Sequence, residues 1–313
     1  MKIGIVMDPL ALINFSKDST FAMMLEMQIR GYEFHYINPN SLTLEPDSSF
    51  AVTSKVQVDL KSDIEFILSD EEKRNLSYFD VILMRQDPPF NMDYIYSTYV
   101  LDKAEEDGVL VVNKPSSLRN YNEKVFTTLF PECSTPFLVS SNYSELKSFI
   151  EEFEDIIIKP LDGMGGSSVY RLKVDDHNIS VILEDMTNNF SRKIMAQTYI
   201  PEILDGDKRI LIIDGIAMDA AIARVPAEGE LRGNLAAGGT AIAKPLSDRD
   251  RWICDQVGPE LKKLGLVFVG VDIIGDYLTE INVTSPTCIQ EYQKLCGIDV
   301  ASIFIDCLEK NEF

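Results

Sequence analysis

Asp272, Glu280 and Asn282 place oxygen-bearing side chains inside two runs that are otherwise apolar, Val-Gly-Val-Asp-Ile-Ile at 269–274 and Tyr-Leu-Thr-Glu-Ile-Asn at 277–282. Strand side chains alternate between faces, so Glu280 and Asn282 share one face with Leu278, while Ile281 and Val283 take the other. On the preceding strand Val269, Val271 and Ile273 share a face and Asp272 lies opposite. A hairpin around Gly275-Asp276 matches the two apolar faces only through an odd-length turn or a bulge, because a plain two-residue turn pairs Asp272 with Thr279. With that register Asp272, Glu280 and Asn282 converge. Two carboxylates and an amide form an all-oxygen set that suits a hard cation shared with substrate phosphates, Mg2+ or Mn2+ in its place. The alternative is that these side chains end their strands in solvent.

The cationic positions fit the same chemistry. Lys159 ends the apolar run Ile156-Ile-Ile158 and opens Lys159-Pro-Leu-Asp-Gly-Met-Gly-Gly-Ser-Ser168, a turn whose Gly163, Gly165, Gly166 and Ser167 leave backbone N–H groups free to close around phosphate oxygens. The loop is neither a Walker A motif nor a dinucleotide fingerprint, and a plain hairpin turn is the competing reading. An ammonium ending a buried strand is costly unless an anion neutralises it. Lys124, Arg209 and Arg224 are similarly placed. Arg85 follows the buried run at 81–84, where open α/β sheets collect ligands, and is suited to a substrate carboxylate. Taken singly, each basic residue is as compatible with structure as with function; together they indicate a nucleoside triphosphate, its metal and an anionic acceptor.

Positioning these residues takes a fold of several layers. Apolar runs at 3–7, 33–37, 81–84 and 109–113 alternate with helix-length segments at 19–30 and 94–107, which predicts a parallel α/β amino-terminal domain. The polar insert at 39–73 reads either as a hairpin or as a subunit contact. From residue 115 the pattern becomes α+β, with antiparallel runs at 156–159, 169–172, 193–199, 209–213 and 216–224. Ser247-x-x-Asp250 opens a helix reaching about Leu264, and 288–309 reads as helical. The glycine-rich segment 226–243 lacks periodicity and is expected to be a lid.

The chain has 313 residues and a formal charge of -21, which argues against nucleic-acid and anionic-membrane partners. Its five cysteines show no C-x-x-C spacing, and no apolar run approaches membrane-spanning length, so a cytoplasmic protein is expected.

The motifs Asn113-Lys-Pro-Ser116, Asn122-Glu-Lys124, Lys159-Pro-Leu-Asp-Gly-Met-Gly-Gly166, Asp205-Gly-Asp-Lys-Arg209, Arg232-Gly-Asn-Leu-Ala-Ala-Gly-Gly239 and Glu280-Ile-Asn-Val-Thr-Ser-Pro-Thr287 closely resemble those of bacterial glutathione synthetases, which are ATP-grasp ligases. The resemblance runs from Lys2 to about Pro286. It implies an α/β amino-terminal substrate domain at 1–122 and an ATP-grasp domain of two α+β subdomains at 123–313. It also implies ATP as co-substrate, γ-glutamylcysteine as acceptor, glycine as nucleophile, an acyl-phosphate intermediate and a homo-oligomer, tetramer or dimer. Lys124 and Lys159 would contact phosphates, covered by the loop with Gly163, Gly165, Gly166 and Ser167. Gln197, Tyr199 and Ile200 would hold adenine, with Asp207 near the nucleotide. Arg209 and Arg224 would be catalytic, and Asp272, Glu280 and Asn282 would hold the metal. Arg85, Arg232, Asn234 and Gly239 would meet substrate. Thr240-Ala241 stands where the family often has arginine and glycine, and the segment after Thr287 diverges. Another ATP-grasp ligase of the D-alanine or glutamate type, or a non-catalytic ATP-binding module, is the alternative.

Overall fold

The computed structural model describes residues 1–60, 65–230, 232–233 and 238–310. Lys2–Val6 pairs in parallel with Glu33–Ile37 on one side and Val81–Met84 on the other, and Val81–Met84 pairs in parallel with Leu110–Val112. Helices Ser19–Ile29 and Met92–Glu106 fall where the sequence pattern places them, each started by a side chain that accepts a backbone N–H, Asp18 from Phe21 and Asn91 from Tyr94. The insert resolves into antiparallel strands. Ser48–Asp59 pairs with Glu33–Ile37 and carries Thr43–Glu45, Glu65–Leu68 and Glu72–Asn75 along its length.

A second sheet orders Tyr170–Lys173, Asp155–Pro160, Ile194–Thr198 and Phe137–Ser140, all antiparallel. Its helices Tyr143–Phe153 and Ile179–Met186 bury Leu146, Ile150 and Leu183 against Ile156 and Ile158, a core separate from the rest. The strand Phe137–Ser140 is too short for its periodicity to be read in advance.

The third sheet runs Thr240–Pro245, Ala220–Val225, Asp207–Ile213, Phe268–Ile274, Tyr277–Asn282, again antiparallel. The run expected over 216–224 is split. Ile216–Ala217 folds back on Ile212 and Ile213, and the chain re-enters the sheet only at Ala220. Ser247 and Asp250 form the expected capping box at the start of Asp248–Lys263. The tail is two helices, Ile289–Cys296 and Val300–Lys310, parted at Gly297 with a left-handed φ of 68°.

The central strands Asp207–Ile213 and Phe268–Ile274 of the third sheet are buried on both faces, and each face packs into a core that includes the amino-terminal sheet. Ile210, Ile212, Val269 and Val271 join Val6 and Ile82 in one core; Leu211, Ile213 and Phe268 join Ile3, Ile5 and Leu83 in the other. First and third sheets thus form one packed body, beside which the second sheet is a lobe with its own core.

Candidate active site

The register of the third sheet assembles a charged cluster on one face. Arg224 stands directly across from Asp207, Arg209 from Asp272, and Asp272 from Glu280, while Asn282 pairs with Gly270. Arg209 reaches Asp272 with Nε at 2.5 Å and Nη2 at 2.9 Å, and Arg224 Nη2 bonds Asp207 and lies 2.8 Å from Asp272. Gly270 makes this possible, because a Cβ there would stand 2.9 Å from Arg209 Cδ. Farther along the strand Asp207–Ile213 the same face turns apolar with Leu211 and Ile213, which anchor it in the core.

The hairpin is closed by a two-residue turn followed by a bulge, the second of the two solutions that the apolar pattern allows. Ile274 faces Tyr277, Ile273 faces Leu278, and the register then slips so that Asp272 faces Glu280. Thr279 is the extra residue, its hydroxyl donating to the Asp272 carbonyl at 3.1 Å. The slip corrects the placement of Leu278, which joins Ile281 and Val283 in the core and not the face of Glu280.

Two lysines reach this face from elsewhere. Lys159, at the end of Asp155–Pro160, donates to the carbonyl of the bulged Thr279 at 3.2 Å and lies 3.9 Å from Glu280. Lys124 donates to the Gly163 carbonyl at 2.7 Å and lies 3.5 Å from Glu280. Asn122 ties the glycine loop down by donating to the Leu161 carbonyl at 2.9 Å while capping the turn that carries Lys124.

These groups surround a cavity of about 340 Å3 between the second sheet and the third. Lys124, Lys159, Asp207, Arg209, Arg224, Glu280 and Asn282 line its charged end. Gln197, Tyr199, Ile200, Ile157, Val169 and Ile203 line an apolar slot, and Gly163, Gly165, Gly166, Ser167 and Arg232 lie on the wall as well. Burial opposes the charged forms throughout. It lowers the pKa of Lys159, and it works against ionised Glu280 and Asp272, where the neighbouring lysines and arginines win and hold both carboxyls low. Asp207 goes the other way, pushed up to about 7 by burial against the pull of Arg224.

Some expected residues lie elsewhere. Asp272 is beneath the wall, 2% exposed and covered by the arginines. Arg85 does not face the cavity, which corrects the expectation for it. Its guanidinium donates to Thr20 Oγ1 at 3.1 Å and to the Pro286 carbonyl at 2.9 Å and lies over the Phe268 ring. Asp87 and Pro88, two and three residues on, reach the wall instead. Gly239 is also off the wall. Residues 240–243 belong to the strand Thr240–Pro245, paired with Ala220–Val225, so the loop expected over 226–243 does not reach them, and residues 231 and 234–237 of it lie outside the described residues. Asn234 lies outside the described residues.

Sequence reasoning also missed wall residues. Glu123 accepts from the N–H groups of Val283 and Thr284, both at 3.2 Å, and from the Thr284 hydroxyl at 2.7 Å, fixing the exit of the strand that carries Asn282. Arg171 is gripped by both oxygens of Asp155 at 2.8 and 2.6 Å and lies over the Tyr199 ring at 3.6 Å. Glu123 sits inside a motif beside Lys124 and was legible from that position; Arg171 in a short strand carries no such signal.

Comparison with known proteins fixes the family. Residues 1–119 match the model for the prokaryotic glutathione synthetase N-terminal domain, and 123–297 match that for the prokaryotic glutathione synthetase ATP-grasp domain. The chain belongs to the prokaryotic glutathione synthetase family. Among relatives of this family, the glutathione synthetase of Vibrio cholerae serotype O1 is 52% identical over 310 residues, covering 99% of this chain and 98% of that protein. The glutathione synthetase of Vibrio parahaemolyticus serotype O3:K6 is 51% identical with the same coverage. Among solved structures, D-cycloserine synthetase DcsG shares the ATP-grasp fold with a TM-score of 0.68 at 13% identity, over 99% of both chains. The prokaryotic glutathione synthetase assignment makes the chain an ATP-using ligase of the ATP-grasp fold.

Proposed function

We propose that the chain is a glutathione synthase, joining γ-glutamylcysteine and glycine at the cost of ATP, with release of ADP and phosphate. The observation that carries the reading is the convergence of Lys124, Lys159, Arg209 and Arg224 on one end of a cavity whose other end is an apolar slot at Gln197–Ile200. The buried Nε2 of Gln197 lacks a protein partner, as suits a group that bonds a base.

A carboxylate reacts with an amine at neutral pH only after one of its oxygens becomes a leaving group. Transfer of the γ-phosphoryl group to the acceptor carboxylate gives an acyl phosphate and ADP; attack of the glycine amine on the acyl carbon then expels phosphate. The protein's part is positioning and charge neutralisation by the two lysines and two arginines. The carboxylates of Asp272 and Glu280 and the amide oxygen of Asn282 belong to one sheet face, an oxygen set that would hold Mg2+ or Mn2+ once Asp272 and Asn282 leave their bonds within the cluster, and such a cation would neutralise phosphate charge.

The division at 122/123 is supported by family matches that end at 119 and resume at 123. A homo-oligomer, dimer or tetramer, is supported by the exposed apolar side chains Leu44, Ile67 and Leu68 on the insert strands. A reducing cytoplasm is in keeping with the free cysteines. The test is release of ADP over a panel of acceptors and amines. Turnover is expected with γ-glutamylcysteine and glycine together; equal turnover with D-alanine pairs, or none with glycine, rejects the assignment.

A further inference from the structure

Both carboxylates of the proposed metal-binding set stand against cationic side chains of the protein. Asp272 gives both oxygens to Arg209, at 2.5 and 2.9 Å, and one of them also to Arg224 at 2.8 Å. The same oxygen accepts from Asn282 Nδ2 at 3.2 Å. That amide orientation is held by a second bond, Nδ2 to the Gly270 carbonyl at 3.0 Å, so Asn282 presents a donor to Asp272 and not its oxygen. Glu280 stands between Lys124 and Lys159 at 3.5 and 3.9 Å.

Counting Asp207, which shares Arg224, four cationic side chains face three carboxylates. A divalent cation arriving alone meets Asp272 with both oxygens already bonded to guanidinium groups, whereas a triphosphate is attracted to the four cations. The cluster is nevertheless not closed. Arg224 Nε and Asp207 Oδ1 are buried without protein partners, so the arginine keeps a donor that no protein group uses.

We propose that Arg209 and Arg224 clamp Asp272 until a triphosphate draws the guanidinium groups to itself, so that the metal enters with the nucleotide or after it and not before. The clamp rests on the reading of the cavity as the ATP site. It makes the two arginines antagonists of metal binding in the free protein and partners of it once the triphosphate is in place, with one coupling acting in both directions.

The experiment is a titration of nucleotide-free protein with Mn2+ alone, with free Mn2+ followed by electron paramagnetic resonance. The wild type is expected to bind weakly. Arg224→Gln is expected to bind at least about tenfold more tightly, since it removes one of the two cations that face Asp272, and adding Asp272→Asn should abolish the gain. Arg209→Gln is the parallel variant, with folding of each checked by circular dichroism. Stoichiometric, tight Mn2+ binding by the nucleotide-free wild type, or no gain in a folded arginine variant, overturns the clamp. Glutathione formation is measured on the same wild-type preparation. Its absence rejects the ligase reading whatever Mn2+ does, while its presence with no gain in the variants rejects the clamp alone.

Discussion

At the scale of residues, the site is a set of charges whose costs of burial are met by one another. Glu280 is the clearest case: it is a carboxylate on the cavity wall, and its two lysines have no other acid within 4 Å among the ion pairs of the described residues. Glu280→Gln preserves volume and removes the charge, so kcat is expected to fall about a hundredfold, the typical loss of one preorganised electrostatic group at roughly 3 kcal/mol. The unfolding transition should remain cooperative, and a variant with wild-type turnover refutes the placement of Glu280 at the reacting centre. Arg171 acts at the other end of the cavity. Held by Asp155 and stacked on Tyr199, it stiffens the Tyr199 side of the apolar slot. Arg171→Met is expected to raise KM for ATP about tenfold, the effect of losing roughly 1.4 kcal/mol of binding, with kcat nearly unchanged. A matching fall in kcat would assign Arg171 to the chemistry instead.

At the scale of elements, strand register decides which side chains meet. The strand Phe268–Ile274 needs glycine at 270 because the Arg209 side chain lies across that position, 2.9 Å from where a Cβ would be. Gly270→Ala therefore overpacks a pinned arginine. Steady-state kinetics should show at least about a tenfold fall in kcat, and the cost in stability should be about 1 to 3 kcal/mol by urea titration. Intact kinetics would mean that Arg209 can occupy another position. Strand Glu33–Ile37 offers a check that is independent of catalysis. Tyr78, His35 and Lys55 all bond Glu33, and together they lower its carboxyl from 4.5 to about 2. A depressed folded-state pKa stabilises the fold above the unfolded value and ceases to do so as the pH falls through the folded one. The Tm difference between the wild type and Glu33→Gln should therefore be full above about pH 5 and shrink toward pH 2; a difference that does not change with pH contradicts this.

At the scale of the molecule, the site depends on how the amino-terminal sheet grips the third sheet. Asn113, at the end of Leu110–Val112, donates to the carbonyls of Phe268 and Val283 at 2.9 and 2.7 Å and accepts from Phe268 N–H at 2.9 Å. One buried amide thus spans both strands that carry Asp272, Glu280 and Asn282. Asn113→Ala leaves three buried backbone groups unpaired and is expected to cost about 3 kcal/mol or more, measured by denaturant unfolding. A change under 1 kcal/mol would show that water replaces the amide. The second sheet has no such tie to the amino-terminal sheet in its core, which leaves the lobe with Lys159 and the glycine loop free to be placed by its own packing.

The sequence by itself determined the parts whose physics is local. Continuous apolar runs alternating with helix-length segments gave the parallel strands, Ser247 and Asp250 gave a helix start, and the demand that apolar faces match required an irregular hairpin at Gly275-Asp276. The identity of the cations and carboxylates was legible for the same reason, since charges in apolar strands are expensive and stand out. The rest needed partners far apart in the chain. That Arg85 turns to Thr20 and Pro286, that residues 240–243 are strand and not loop, and that Arg171 flanks the slot each depend on contacts with distant residues. Tertiary structure alone decided that Asp272 lies beneath two arginines, because only strand order sets Asp207–Ile213 between Ala220–Val225 and Phe268–Ile274, and no local pattern encodes which strands become neighbours.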